Sequence, residues 1–294
     1  MVLCSEQLAG RRQPGSRREP GQSRPVWWRE VAFIAFGYLL YTITRNAAPP
    51  HLAAAQHHAS AVYALERRLH LNIERPLNAV LARHELVGTA ASYYYATLHF
   101  LVTLIVLVWA YRARPEAYRR ARTVLIGSTL VALYLFWVYP LAPPRLAGLG
   151  FVDTIGTVHL WGGATWNSPG VVSVSNEYAA MPSLHVAWAL WSAGVVIWLS
   201  RNRLIKLVAC LYPVVTLLVV LATANHFVLD AVGAVGVLVV AWAGEALVRQ
   251  WLAARRLRRR EPGSTDRLAG GAPSAAPEPV PVAATSHSPG RSTG

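Results

Sequence analysis

Three short segments of the chain carry side chains that can exchange a proton or hold an anion. In one of them, Thr223-Ala-Asn-His-Phe-Val-Leu-Asp230, His226 and Asp230 are four residues apart. On a helix this spacing puts both side chains on one face, where the carboxylate can accept a hydrogen bond from one ring nitrogen. The bond would fix the imidazole tautomer and leave the other nitrogen as a nucleophile. The alternative is a structural His–Asp pair that joins two helices.

A second segment, Asn176-Glu-Tyr-Ala-Ala-Met-Pro-Ser-Leu-His-Val-Ala-Trp188, lies where a polar loop becomes an apolar helix. Pro182 suits the first helical position, because its missing N–H would have no intrahelical partner there. The amides of Ser183, Leu184 and His185 would then be available to form an anion site with the helix dipole. His185, on the same turn, could exchange a proton with the bound anion. A helix cap beside a chance histidine is the alternative.

The remaining segment is Tyr139-Pro-Leu-Ala-Pro-Pro-Arg-Leu146, at the end of an apolar run. Arg145 carries a planar and permanently charged guanidinium that can bind a phosphate group. A lone Arg at a helix end is more commonly an interface anchor. Together, the three segments could bind a phosphate group, exchange a proton with it and supply a nucleophile.

The elements that must position these segments are membrane helices. Of the 294 residues, 54% are hydrophobic and 14% are charged, which is typical of a membrane protein. The apolar runs predict spans at about 26–44, 87–110, 123–142, 183–200, 204–222 and 227–248. A cleaved signal peptide is the alternative for the first run. Residues 45–86 are too polar to span. The predicted fold is therefore an all-α integral membrane protein, a six-transmembrane helix bundle with interfacial helices between spans 1 and 2.

The distribution of Lys and Arg predicts the orientation of this bundle. The N-terminal tail carries six, the 111–122 loop five, the 201–206 loop three and residues 253–260 another five. On the other side, residues 143–182 hold only Arg145 and residues 223–226 hold none, although the 45–86 connection has five. Both termini are thus predicted to be cytoplasmic, with the three segments at the outer face of the cell membrane. The same grouping explains the net charge of +14 without a nucleic-acid partner.

The domain prediction follows from composition. Residues 1–25 are expected to form a disordered basic tail, 26–252 the membrane catalytic domain, and 253–294 a basic and then disordered tail. With only Cys4 and Cys210, the chain offers neither a disulfide framework nor a thiolate metal site. No cofactor is expected.

The order and form of the motifs resemble a known family. Met-Pro-Ser-Leu-His at 181–185, His-x-x-x-Asp at 226–230 and a preceding Pro-Pro-Arg are similar to the type-2 phosphatidic acid phosphatase superfamily. The Pro-Pro-Arg, the Leu of Pro-Ser-Leu-His and the Asn-His-Phe are most similar to its inositol phosphorylceramide synthase-like (inositolphosphotransferase) branch. The resemblance covers about residues 30–250 and implies a six-helix bundle and metal-free phosphoryl transfer. It implies four site residues and their roles: His226 as nucleophile, Asp230 as its orienting partner, His185 as general acid and Arg145 as phosphate ligand.

The chain departs from the superfamily at two cationic positions. Val138 stands where a Lys is expected before the Pro-Pro-Arg motif, and Val219 and Val220 stand where a Ser-Arg pair is expected before the last His. Arg145, the amides around Ser183 and the side chain of Asn225 would have to hold the phosphate instead.

The predicted function is that of a membrane-embedded lipid phosphatase or phosphotransferase. It would act on a lipid phosphate or phosphoalcohol through a phosphohistidine, without metal, and transfer the group to water or to an alcohol such as a polyol. A transporter or lipid-translocating protein that binds its ligand at the buried His and Asp is the alternative, but neither discontinuous spans nor an inverted repeat is evident. Metal-dependent transfer is a third possibility, although residues 143–182 offer only Asp153 and Glu177 as carboxylates.

Overall fold

The computed structural model describes residues 25–47, 52–156 and 178–260, and in these ranges it is helical. The helices are α1 Trp27–Ala47, α2 Leu52–Arg68, α3 Glu74–Leu81, α4 Glu85–Tyr93, α5 His99–Ala113, α6 Pro115–Val138, α7 Leu184–Leu199, α8 Arg203–Ala222 and α9 Val228–Arg260. A π-turn, Tyr94–Leu98, joins α4 to α5, and a 3₁₀ turn, Pro144–Leu146, follows α6. Within the described ranges, a single parallel bridge between Leu141 and Ala179 is the sole β-type pairing. The first compact unit ends at Leu247, and the end of α9 belongs to a second.

The all-helical class is confirmed, and so is the presence of several helices that could cross a membrane. Four described helices are long and apolar enough to cross a membrane: Glu85–Ala113, Pro115–Val138, Arg203–Ala222 and Val228–Arg258. Helix α7 is apolar but shorter, with 16 residues. The count of six is therefore not confirmed. The predicted disorder of both tails concerns residues 1–24 and 261–294, which lie outside the described residues.

Local sequence signals explain where several helices begin. Pro115 occupies the first turn of α6, where its missing N–H costs nothing. Asn202 caps α8, since its side-chain oxygen accepts from the amides of Leu204 at 2.8 Å and Ile205 at 3.4 Å. Helix α1 is tied to α6 by Glu30, which pairs with Arg122. These caps and ties set the ends of the helices that carry the site.

Helix α7 packs in the middle of the helix bundle. Its indole Trp191 Nε1 donates to the carbonyl of Ala121 on α6 at 2.8 Å. Val186 and Ala187, in its first turns, are buried in one cluster with Ala234 of α9. The small side chains of Ala187 and Ala234 let the helix axes approach closely, so the start of α7 lies next to the start of α9.

The segments between the long helices rest on α2. Its buried face packs against the loop after α6, the segment before α7 and the residue Phe227 before α9. The cluster consists of Ala55, Ala59, Val62, Tyr63, Leu141, Ala142, Ala147, Ala180 and Phe227. Polar contacts reinforce the cluster, because Gln56 donates to the carbonyl of Leu146 at 3.1 Å and His58 Nδ1 lies 2.8 Å from the carbonyl of Pro140. Helix α2 thus supports all three segments that the sequence singled out.

Candidate active site

The three segments are joined to one another by backbone hydrogen bonds. The amide of Arg145 donates to the carbonyl of Ala224 at 3.0 Å, and the amide of Ser183 donates to the carbonyl of Asp230 at 3.0 Å. At the other end of the loop after α6, the Leu141 amide donates to the carbonyl of Tyr178 at 2.9 Å. Backbone groups therefore bring every predicted site residue into one region.

His226 is buried and held through one ring nitrogen. Its Nδ1 lies 2.9 Å from the carbonyl oxygen of Ala180 and 3.1 Å from Oδ2 of Asp230. A carbonyl oxygen can only accept a hydrogen bond, as can an ionised carboxylate, so Nδ1 carries the proton. Nε2 then carries the lone pair. The two acceptors thus define Nε2 as the unprotonated nitrogen of His226, the nitrogen that could act as a nucleophile.

The predicted placement of His226 and Asp230 on one helix face is wrong, although their contact is present. Helix α9 begins at Val228, so His226 precedes it by two residues. After α8 the chain turns sharply at Ala224, which has φ of +53°, and the amides of Asn225 and His226 both donate to the carbonyl of Val220. Asp230 reaches back over the start of its own helix and accepts the hydrogen bond from the ring.

Asp230 acts as a cap for this turn as well as a partner for the imidazole. Its Oδ2 also accepts from the amide of Phe227 at 2.9 Å, and the side chain is completely buried. Its other oxygen, Oδ1, has no hydrogen-bond partner among the described residues. A carboxylate at the first turn of a helix is stabilised by the helix dipole.

His185 lies on α7 with its ring centroid 5.7 Å from that of His226. Its Nε2 is 3.2 Å from the carbonyl oxygen of Tyr95, which can only accept, so Nε2 carries a proton in this arrangement. The ring of Tyr95 stacks on the imidazole at 4.2 Å with an interplanar angle of 18°. Exchange of a proton with a bound group would therefore fall to Nδ1 of His185.

Two residues that contact His185 were missed from the sequence. Tyr95 belongs to the π-turn Tyr94–Leu98, and His99 follows it directly. The His99 ring is 4.1 Å from the His185 ring, it is 8% exposed, and its Nδ1 has no hydrogen-bond partner among the described residues. Helical π-turns are frequent at functional sites. The available signal was an ionisable residue within an apolar span, which is a functional candidate by default.

Arg145 is held by two side chains, one of which belongs to the residue before His226. Its Nε donates to Oδ1 of Asn225 at 3.1 Å, and its Nη1 lies 3.3 Å from Oδ2 of Asp153. Asn225 in turn donates to Oγ1 of Thr223 at 2.9 Å. Arg145 and Asn225, which the sequence predicts as phosphate ligands, are thus in contact with each other, and Asp153 adds a counter-charge that an incoming phosphate would compete with.

The predicted start of the helix at Pro182 is wrong. Helix α7 begins at Leu184, and Ser183 is its N-cap, with Oγ 3.4 Å from the amide of Val186. The Ser183 amide is already bonded to the carbonyl of Asp230. The backbone of Ser183 is extended, with φ of −69° and ψ of 108°, and α9 packs so closely here that a Cβ on Gly233 would lie 3.2 Å from Cβ of Pro182. The anion site predicted at the helix start is therefore reduced to the amides within α7, from Leu184 on.

The described residues also bear on metal binding. Within 25–47, 52–156 and 178–260, no three side chains of His, Cys, Asp or Glu are grouped as metal ligands. The donors at the site are instead the imidazole of His185 next to His226 and the pair of Arg145 with Asn225, together with the carboxylates of Asp230 and Asp153 that accept from His226 and Arg145. The guanidinium of Arg145 is the member of this set that suits an anionic ligand.

Comparison with known proteins agrees with this geometry. A profile of the PAP2 superfamily matches residues 60–244, more than half of the chain, and the match includes all three site segments. No curated protein and no solved structure matches the chain. The predicted superfamily is confirmed, whereas the inositolphosphotransferase-like branch stays a prediction. The chain therefore belongs to the PAP2 superfamily, and this membership indicates a phosphatase-type enzyme that acts on lipid phosphates.

Proposed function

We propose that the protein is a lipid phosphatase or phosphotransferase that works through a phosphohistidine intermediate without a metal ion. His226 is the nucleophile, Asp230 its orienting partner and His185 the general acid. Arg145 and Asn225 hold the phosphate. No finding favours the transporter alternative.

The hydrogen bonding of His226 is the observation that supports this proposal most directly. Two acceptors, the Ala180 carbonyl at 2.9 Å and Asp230 Oδ2 at 3.1 Å, keep the proton on Nδ1. A neutral imidazole with a defined lone pair on Nε2 is the form that attacks phosphorus. The carboxylate then stabilises the positive charge that develops on the ring when the N–P bond forms.

The reaction has two steps with balanced proton transfer. In the first, Nε2 of His226 bonds to phosphorus, the bond from phosphorus to the leaving alkoxide breaks, and His185 gives the alkoxide a proton. In the second, water or an alcohol attacks phosphorus, His185 takes back a proton, and the N–P bond breaks. His226 returns to its initial state after each cycle.

Fewer cations are available to stabilise the negative charge of the transferring phosphoryl group than the superfamily pattern provides. Val138, Val219 and Val220 replace the expected Lys and Ser-Arg pair. Arg145 therefore supplies the permanent positive charge, and the amides at the start of α7 supply dipoles. Ser183 contributes as the cap that fixes this start rather than through its own amide.

The acceptor, the location and the topology are part of the proposal. The Pro-Pro-Arg and Asn-His-Phe motifs favour an inositolphosphotransferase-like enzyme, with a polyol competing with water. The distribution of basic residues favours six spans, cytoplasmic termini and an active site at the outer face of the cell membrane. In this arrangement α1 and the short α7 complete the bundle with the four long apolar spans.

Single-turnover labelling tests the mechanism. Purified protein is mixed with a radioactive lipid phosphate and quenched at alkaline pH, where phosphohistidine persists and acyl phosphates do not. Wild type should retain alkali-stable label, and His226→Ala should retain none. Equal labelling of the His226→Ala protein would place the nucleophile elsewhere.

Product analysis tests the choice of acceptor. The enzyme is incubated with a labelled lipid phosphate or phosphoinositol lipid, with and without inositol, and the products are separated by chromatography. A new inositol-dependent product would support transfer to the polyol. Release of inorganic phosphate that is unaffected by inositol would identify a phosphatase.

A further inference from the structure

Two glutamates are buried behind the nucleophile, outside the three motif segments. Glu66 on α2 and Glu74 on α3 each have 0% of their surface exposed. The amide of Leu229 donates to Oε1 of Glu66 at 2.7 Å. Leu229 lies in the first turn of α9 and immediately precedes Asp230. Glu66 thus supplies a partner for an amide that has none within its own helix.

The surroundings of the two carboxyl groups favour a shared proton. Glu66 Oε2 and both oxygens of Glu74 are buried without a donor among the described residues, and the two carboxyl groups are close enough to interact with each other. Two carboxylates cannot bond unless one carries a proton, because each is otherwise only an acceptor. Burial, together with the negative charges of Glu74 and Asp230, raises the pKa of Glu66 to about 8, against the opposing hydrogen bond from Leu229. Burial also raises the pKa of Glu74.

We propose that Glu66, in its protonated form and hydrogen-bonded to Glu74, is a positioning residue that fixes the first turn of α9 and hence Asp230 and His226. This inference rests on the proposed role of His226 as nucleophile. Glu66 Oε1 accepts from Leu229 while Glu66 Oε2–H donates to Glu74. One shared proton keeps the pair at a single negative charge and holds α2, α3 and α9 together.

Loss of that proton would place a second negative charge behind Asp230. The groups that face Glu66 are Glu74 from α3 and Asp230 from α9. One turn earlier on α2, Tyr63 accepts a hydrogen bond from Arg75, so that cation is already engaged. Repulsion between two carboxylates in a buried site would then move α9 away from α2.

The test uses the full-length protein in detergent micelles and short-chain phosphatidic acid as the donor. Glu66→Gln is the informative variant, because its amide keeps the acceptor for Leu229 and supplies a fixed N–H donor for Glu74. Glu66→Leu keeps the volume and loses both bonds. Glu85→Gln, at an exposed position, is the matched control.

Wild type and Glu85→Gln should lose kcat above about pH 8. Glu66→Gln should keep kcat within about threefold of wild type at neutral pH and should lack the alkaline decline, because its donor does not titrate. Glu66→Leu should lower kcat by at least about tenfold with little change in KM, as expected for loss of buried hydrogen bonds outside the substrate site. A Glu66→Gln protein with the wild-type alkaline decline, or a fully active Glu66→Leu protein, would overturn the inference.

Thermal unfolding as a function of pH separates this inference from the proposed function. The difference between wild type and Glu66→Gln in that profile does not depend on turnover. If wild type forms no phosphohistidine but the two profiles differ above neutral pH, the proposed function fails and the shared proton stands. If labelling succeeds and the profiles coincide, the positioning role of Glu66 fails alone.

Discussion

Replacing Asp230 with Asn removes a charge from the partner of the nucleophile and keeps its shape. Oδ2 of Asp230 accepts from Nδ1 of His226 at 3.1 Å and from the amide of Phe227 at 2.9 Å. The carbonyl oxygen of an asparagine can take the same position and accept both bonds. The Ala180 carbonyl, 2.9 Å from Nδ1, is unchanged. The proton should therefore stay on Nδ1, and Nε2 should stay the reactive nitrogen.

The expected increase in the activation free energy is the difference between the hydrogen bond to a charged acceptor and the hydrogen bond to a neutral one. A hydrogen bond to a charged group contributes about 1.5–3 kcal/mol and a neutral one about 0.5–1.5 kcal/mol, so the change is about 1–1.5 kcal/mol for the imidazole bond. The positive charge on the ring develops as the N–P bond forms, so this difference appears in the barrier. Phosphorylation of His226 should slow by about tenfold.

The rate of phosphohistidine formation in a single turnover measures this effect, with His226→Ala as the blank. Thermal unfolding shows whether Asp230→Asn is folded. A wrong imidazole tautomer costs about 10⁴-fold in a comparable serine protease triad. A loss of that size in the folded variant would refute the reasoning, because it would mean that the Ala180 carbonyl does not hold the tautomer. An unchanged rate would refute the role of the carboxylate.

Four further predictions follow from the site. His185→Ala should slow turnover of lipid phosphates by about 10²–10⁴-fold but should cost less with 4-nitrophenyl phosphate, since its acidic leaving group needs no proton; steady-state kinetics with both donors decide this. His99→Phe should retain the packing on His185 and lower kcat if Nδ1 of His99 exchanges protons with it, whereas unchanged pH–rate profiles would assign His99 a packing role. Activity should survive EDTA, and loss that magnesium restores would contradict the metal-free mechanism. Because the pKa of Glu66 is raised from 4.5 to about 8, its stabilising contribution should be complete below pH 4.5 and should be lost as the pH rises through 8; melting temperatures of wild type and Glu66→Gln across this range should diverge as the pH increases.

The sequence by itself determined the helical class, the approximate positions of the long helices and the three motif segments. These features depend on interactions that are local in the chain. Apolar runs of about 20 residues specify spans because a bilayer requires them. The order of Pro-Pro-Arg, Pro-Ser-Leu-His and His-x-x-x-Asp identified the superfamily, and the match over residues 60–244 confirms it.

Only the tertiary structure decided how the motifs are held. Helix α7 begins at Leu184 rather than at Pro182, because the N-cap Ser183 has an extended backbone and directs its amide to the carbonyl of Asp230 from a distant helix. His226 lies outside α9, and its tautomer depends on a carbonyl that is 46 residues away in the chain. Such partners carry no local signal, since a backbone carbonyl is present at every residue.

The burial of Glu66 and His99 likewise could not be predicted from the sequence around them. Glu66 lies in a polar, amphipathic stretch that predicts an exposed or interfacial helix, and it is buried only because α2 packs beneath the loops and α9. His99 stands in an apolar run whose hydropathy does not tell which face meets α7. Burial of a polar group is favourable only where distant partners satisfy it, and those partners are fixed by packing between helices rather than by neighbouring residues in the chain.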